Sequence, residues 1–182
     1  MSRAYKIHNP DGLYFISFAT VAWVDVFTRI EYKEIVLDSL KFCQKEKGLM
    51  LYAWCLMTNH IHLIAKAKEG NDVSGILRDF KKFTSKKIVK AIEENPRESR
   101  KEWMLSKFNH AGEYNSNNKE YQFWQQNNKP IELWSTSVIQ QKLDYIHNNP
   151  VEAGFVQNPE EYLYSSARDF CDLKGLINLE PL

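Results

Sequence analysis

The segment His60-Ile61-His62 opens a run, HIHLIAK from His60 to Lys66, whose composition suits a β-strand. Side chains alternate across a strand, so both imidazoles point to one side and Ile61 to the other. Two imidazoles on one face can hold a divalent ion; the same spacing also suits two histidines sharing hydrogen bonds on an exposed strand face. No H-E-x-x-H sequence, cysteine cluster or paired carboxylate accompanies them, so a third ligand must be sought elsewhere. Further along, Ile139, Leu143 and Ile146 recur at helical spacing. Tyr145 and Asn149 are i, i+4 neighbours on a flank of that stripe, with Lys142 beside them and Gln141 one turn earlier. A phenol, an amide and an ammonium therefore share one helix face. A phenol has an unperturbed pKa of about 10, so one that takes part in chemistry needs activation. The plainer alternative for Tyr145 is a ring packed on the sheet.

A second signature is electrostatic. Between positions 78 and 90, Arg78, Lys81, Lys82, Lys86, Lys87 and Lys90 are offset only by Asp79. Such a density suits a phosphate backbone, and it also suits a solvated helix face. The chain total, 24 Lys+Arg against 23 Asp+Glu for a net charge of +1, conceals it, because Glu93, Glu94, Glu98 and Glu102 follow and cancel it in the sum. Arg3 and Lys6 are weaker candidates for phosphate contact. Tyr121, Phe123 and Trp124 can stack unpaired bases, although core packing is the commoner use of such residues.

These groups need a scaffold, and 182 residues at 43% hydrophobic and 26% charged are one domain's worth with a real core. That composition excludes a disordered tail, a collagen-like rod and a coiled-coil spacer. Leu13 to Thr20 follows the turn Asn9-Pro10-Asp11-Gly12 and reads as a first strand. Apolar spacing from Arg29 to about Lys47, with Gly48 as C-cap, predicts a helix. Leu49 to Met57 and His60 to Lys66 read as two strands of a hairpin through Thr58-Asn59. A second helix is expected from Asn71 or Asp72, with Val73, Ile76, Leu77, Phe80, Phe83 and Ile88 on its buried stripe. Asn95 to Lys119 reads as a surface loop with room for a short helix. Tyr121–Trp124 and Ile131–Trp134 suggest a strand pair joined through Asn127-Asn128-Lys129-Pro130. Ser135 then N-caps a helix that Pro150 stops after Asn149, and a last helix is expected over Glu160 to Phe170. The order β-α-β-β-α-β predicts an α+β, ferredoxin-like antiparallel sheet with helices packed on one face, followed by C-terminal helices, in one domain over residues 1–182. Cys43, Cys55 and Cys171 form no C-x-x-C, which predicts neither a disulfide framework nor a thiolate zinc site and fits a reducing cytoplasm. The opening MSRAYKIHNPDG lacks an apolar h-region and no run of about 18 apolar residues occurs, so neither secretion nor a membrane span is expected.

WCLMTNHIHLI at 54–64 together with KLDYIHNNPVEAGFV at 142–156 resembles the HUH-type single-tyrosine transposases, and among them the REP-associated branch. GLYFISF at Gly12, FKKFTSKKI at Phe80 and EEYLYSSARDF at Glu160 extend the resemblance over most of the chain. It implies that His60, His62 and Asn149 bind Mg²⁺ or Mn²⁺ and that Tyr145 attacks a phosphodiester of single-stranded DNA, leaving a 5′-phosphotyrosine and a free 3′-hydroxyl. It implies substrates that fold as hairpin palindromes; the basic run then offers Arg78, Lys81, Lys82, Lys86 and Lys87, with Lys142 beside the tyrosine, as DNA contacts, and the expected place of action is the cytoplasm, on the nucleoid. Relatives occur as homodimers with shared active sites and as monomers. Thr58 departs from the proline that many relatives carry before the Asn-His pair, a change expected to alter the turn and not the chemistry. Two other readings stand beside this one: a catalytically idle nucleic-acid-binding protein on the same fold, and a zinc hydrolase, which would lack a carboxylate or cysteine ligand and a general-base Glu.

Overall fold

In the computed structural model of the chain, which describes residues 7, 9–113, 120–126 and 130–182, the expected first turn closes with Gly12 N donating to Asn9 O. Strand β1 (Tyr14–Ala19) follows. Helix α1 (Ile30–Glu46) ends where predicted: Gly48 takes a φ of 75°, a left-handed conformation favouring glycine, and a Cβ there would meet the Asn71 amide at 2.8 Å. Strands β2 (Leu49–Leu56) and β3 (His60–Ala67) form the hairpin through Thr58-Asn59, closed by Met57 N on His60 O. Helix α2 (Val73–Glu94) starts on Asp72, whose carboxylate accepts from Ser74 N and Gly75 N. Its buried stripe differs from the expectation at one place. Phe83 is exposed, and Thr84 takes the interior position between Phe80 and Ile88, donating to Phe80 O and accepting from the Trp124 indole.

The charged segment after Asn95 holds a full helix, α3 (Lys101–Glu113). Its fully buried residues are Met104, Phe108 and Gly112, one per turn, which is too sparse to outweigh its polar composition in a periodicity reading. Gly112 is required by contact: a Cβ would lie 2.6 Å from Tyr121 Cα. The segments 121–124 and 131–134 do not pair with each other; both reach β1. Strand β4 (Ile131–Glu132) pairs with Tyr14 and Phe15, and Trp124 makes a single bridge to Thr20. The proposed joining residues 127–129, like Arg3 and Lys6, lie outside the described residues.

The sheet order β2-β3-β1-β4, with every observed strand pair antiparallel, is the ferredoxin-like arrangement. Ile16, Phe18, Ile61, Leu63 and Leu56 turn to one face, where α1 and α2 cover them in the main core. Phe15, Ala53, Cys55 and Ile64 turn to the other face and pack under Leu143 and Ile146 of α4 (Thr136–Glu152). That helix begins on Ser135, as expected, but Pro150 does not stop it. Proline forfeits only one hydrogen bond near the end of a helix, and the real stop is one turn later. Gly154 at φ 74° donates to Val151 O while Phe155 N donates to Pro150 O, a Schellman cap.

The predicted last helix is replaced by two short 3₁₀ turns, Pro159–Glu161 and Ser166–Cys171. The chain between them runs along β2 instead, where Tyr164 O accepts from Leu56 N and Ser165 bridges Cys55; Glu180 N later donates to Leu51 O. Unpaired backbone groups on the β2 edge win this segment from helix formation, because a buried edge left without partners is costly. Among the described residues no helix is long and apolar enough to cross a membrane.

Candidate active site between strand β3 and helix α4

Strand alternation places His60 and His62 on the α4 face, as predicted. Their partners across the sheet are small: Ala19 opposite His60, and Ser17 and Cys55 opposite His62. The two rings lie 4.7 Å apart, centroid to centroid, and the Tyr145 ring lies 5.2 Å from His62. Phe15 forms the floor, stacked on His62 at 5.4 Å and edge-on to Tyr145 at 5.9 Å. Tyr145 stays 41% exposed, whereas His62 is 4% exposed. One strand and one helix of the same chain thus bring together residues more than eighty positions apart.

The hydrogen bonds fix the chemistry of His60. Asn59 Nδ2 donates to Trp23 O at 3.2 Å, which orients the amide and leaves its Oδ1 to accept from His60 Nδ1 at 2.7 Å. Nδ1 therefore carries the proton and Nε2 keeps its lone pair. Burial holds the His60 pKa below the ordinary histidine value, partly offset by the influence of the Asn149 side chain of α4. His62 is pushed down to about 3, first by burial and then by the charges of His60 and Lys142. Both rings are neutral at physiological pH, the form in which imidazole binds a metal.

His62 supplies the test of whether an ion fits. Neither of its nitrogens has a hydrogen-bond partner among the described residues, although the side chain is buried. A buried donor or acceptor left unmade costs about 1–3 kcal/mol, and such a group calls for a ligand. No cluster of three His, Cys, Asp or Glu occurs among the described residues. Two imidazoles and the Asn149 amide can hold a divalent ion whose remaining positions are filled by phosphate oxygens and water.

Lys142 belongs to this site and not to the basic helix. Its Nζ lies 5.1 Å from the Phe15 ring centroid and 5.7 Å from that of Tyr145. Gln141, on the exposed side of the helix, is not drawn in. On α2, Lys82, Lys86 and Lys87 are exposed, and Arg78 is exposed beside Asp79 at 3.3 Å. Lys81 is turned inward. Its ammonium donates to Gln125 O at 2.9 Å over the Phe18 ring, and burial lowers its pKa to about 8. The basic helix and the histidines occupy opposite faces of the sheet. Gln125, tied to Ala19 and Thr20, links Lys81 to the end of β1 that pairs with His60. Phe123 and Trp124 are core residues, and Tyr121 packs against that core.

Asn59, Trp23 and Phe15 are the site neighbours that sequence reasoning missed. Asn59 had a local signal, its position next to His60; Phe15 and Trp23 had none, since only the sheet register and a loop path bring them there. Thr58 also gains a purpose: its hydroxyl donates to Asp25 Oδ1 at 2.6 Å and its carbonyl accepts from Phe27 N, pinning the hairpin turn to the loop that carries Trp23.

A ferredoxin-like sheet with His-x-His on its third strand and a tyrosine helix laid over the pair is the layout of the HUH-type single-tyrosine proteins. Residues 14–149, a span that takes in both histidines, Tyr145 and Asn149, match the family described as "Transposase IS200 like", and the chain belongs to that family. Among solved structures, it is similar to a REP-associated tyrosine transposase bound to a REP hairpin, with a TM-score of 0.66 and 18% identity, covering 100% of this chain and 95% of that one. A chain from Deinococcus radiodurans R1 described as a transposase aligns with a TM-score of 0.47 and 17% identity over 81% of this chain and 97% of that one. No curated protein matches.

Proposed function

We propose that this protein cleaves and rejoins single-stranded DNA at hairpin-forming palindromes through a covalent 5′-phosphotyrosine on Tyr145. The observation that carries this reading is the buried His62, without a hydrogen-bond partner among the described residues and 5.2 Å from the Tyr145 ring, with the His60 ring 4.7 Å away. Family membership and the likeness to a chain holding a hairpin support the substrate class.

His60, His62 and Asn149 would hold Mg²⁺ or Mn²⁺. Such an ion neutralises charge on the scissile phosphate and helps orient it for in-line displacement. Tyr145 Oη forms the new bond to phosphorus, the bond to the 3′-oxygen breaks, and the leaving strand takes up a proton as its 3′-hydroxyl. In the reverse sense, another 3′-hydroxyl attacks the phosphotyrosine and Tyr145 leaves. One phosphodiester is exchanged for another, so no nucleotide triphosphate is consumed. The Tyr145 proton must be lost as the bond forms, at a ring whose centroid lies 5.7 Å from the Lys142 Nζ. Asn59 keeps His60 Nε2 free to ligate. Exposed Lys82, Lys86 and Lys87, with Arg78, would track the backbone of the hairpin. Such chemistry supports a place of action on the nucleoid in the cytoplasm.

The test is direct. Purified protein, Mg²⁺ and hairpin-bearing single strands taken from repeats flanking the gene should give a covalent protein–DNA adduct on a denaturing gel, and Tyr145→Phe should give none. The reading fails if Tyr145→Phe cleaves as well as the parent.

A further inference from the structure

Trp23 stands at the rim of the histidine pair, and the chemistry above does not use it. Its ring lies 5.7 Å from that of His60 at an interplanar angle of 76°, yet 57% of the residue is exposed. The loop beneath holds it in place. Ala22 and Trp23 have φ of 52° and 54°, two successive residues in a left-handed region that residues with a Cβ rarely occupy. Hydrogen bonds keep this shape: Trp23 N donates to Thr20 O, Thr20 Oγ1 to Val24 O at 2.8 Å, and Asn59 Nδ2 to Trp23 O at 3.2 Å. Asn59 is the residue that also orients His60, so the indole is tethered to the site by the same amide. An apolar side chain of this size is more often packed away from water; here a strained and well-bonded loop presents it to solvent beside the groups that would hold the phosphate.

We propose that Trp23 is a stacking platform for one unpaired nucleobase of the DNA strand next to the bond being cleaved. The proposal rests on the strand-transfer reading for its substrate class. Every base has a π-face that an exposed indole can cover, and stacking of this kind is tolerant of sequence. A duplex keeps its bases stacked on one another, so the platform favours the single strand over paired DNA. Phe123 and Trp124 cannot serve in its place because both are buried.

The test measures binding without divalent ion, so that no cleavage enters. The probes are oligothymidylate of about 16 nucleotides, an abasic strand of the same length, and a matched duplex. Oligothymidylate should quench the intrinsic fluorescence of the parent, and Trp23→Phe should bind it within about threefold of the parent. Trp23→Gly removes the ring at a φ that glycine favours, so its fold is retained. It should bind oligothymidylate roughly tenfold or more weakly, while parent and Trp23→Gly bind the abasic strand alike. The proposal is overturned if Trp23→Gly binds oligothymidylate as tightly as the parent, if it loses as much on the abasic strand, or if the parent binds the duplex in preference or no strand at all. Failure of the strand-transfer reading shows separately, as adduct formation by Tyr145→Phe, and leaves these binding ratios unchanged.

Discussion

His62 is held in a place that suits a reaction and not stability. Its imidazole is buried, neutral and without a hydrogen-bond partner among the described residues. Replacing it with an apolar residue of similar volume removes that penalty, so His62→Leu should raise the thermal midpoint of the ion-free protein by about 2–4 °C, corresponding to about 1 kcal/mol, while abolishing cleavage. Calorimetry beside the adduct assay checks both halves, and a lowered midpoint would show that His62 is satisfied after all. Asn59 works through His60. Without its Oδ1 the His60 tautomer is no longer fixed, so Asn59→Ala should raise the Mn²⁺ concentration for half-maximal cleavage about 10–100-fold. An unchanged Mn²⁺ dependence would remove Asn59 from the site.

At the scale of elements, the loop before α1 and the start of α3 are joined through one carboxylate. Glu98, 5% exposed, accepts from Arg29 Nε at 2.6 Å, Arg100 Nε at 3.2 Å and Arg100 N at 3.1 Å. Burial alone would raise its pKa, but the bonds from Arg100 and Arg29 outweigh this and hold it below the ordinary carboxylate value. A depressed carboxylate pKa contributes stability that is fully present above the unfolded value and is lost as pH falls through the folded one. Glu98→Gln should therefore cost about 1–3 kcal/mol at neutral pH, with the gap to the parent closing as the pH drops below about 4. Parallel denaturation curves at pH 7 and pH 3 measure this, and a gap independent of pH would contradict it. The end of α4 makes a second, simpler case: Gly154→Ala meets no steric neighbour but must adopt φ 74°, which should cost about 1 kcal/mol.

At the scale of the whole molecule, the site assembles from one chain. Mixing inactive His60→Ala with inactive Tyr145→Phe should restore no adduct, because no partner subunit is needed to bring the strand and the helix together; recovery of activity on mixing would instead reveal a site shared between subunits. The sheet lies between the basic helix and the site. Replacing Lys82, Lys86 and Lys87 with alanine should flatten the dependence of log affinity on log salt by about 2, at ~0.7 per lost phosphate contact on a single strand. Lys81→Ala should leave that slope as it is, since its ammonium is already held by Gln125 O.

The sequence by itself determined those parts of the protein that follow from local rules. Period-two alternation put both histidines on one strand face, and i, i+4 spacing put Tyr145 and Asn149 on one helix flank. A cap or turn residue marked the Thr58-Asn59 hairpin, the Asp72 and Ser135 starts and the Gly48 stop. Where tertiary partners outbid local preference, the reading went astray: Pro150 was carried through by a cap one turn later, the segment after Glu161 was drawn along the β2 edge, and α3 formed on a few buried anchors. Only the folded chain decided that Lys81 turns inward, and that the basic helix lies across the sheet from the histidines. It alone brought Trp23 to His60. Those placements depend on sheet register and loop paths between residues far apart in the chain, and no short-range pattern encodes them.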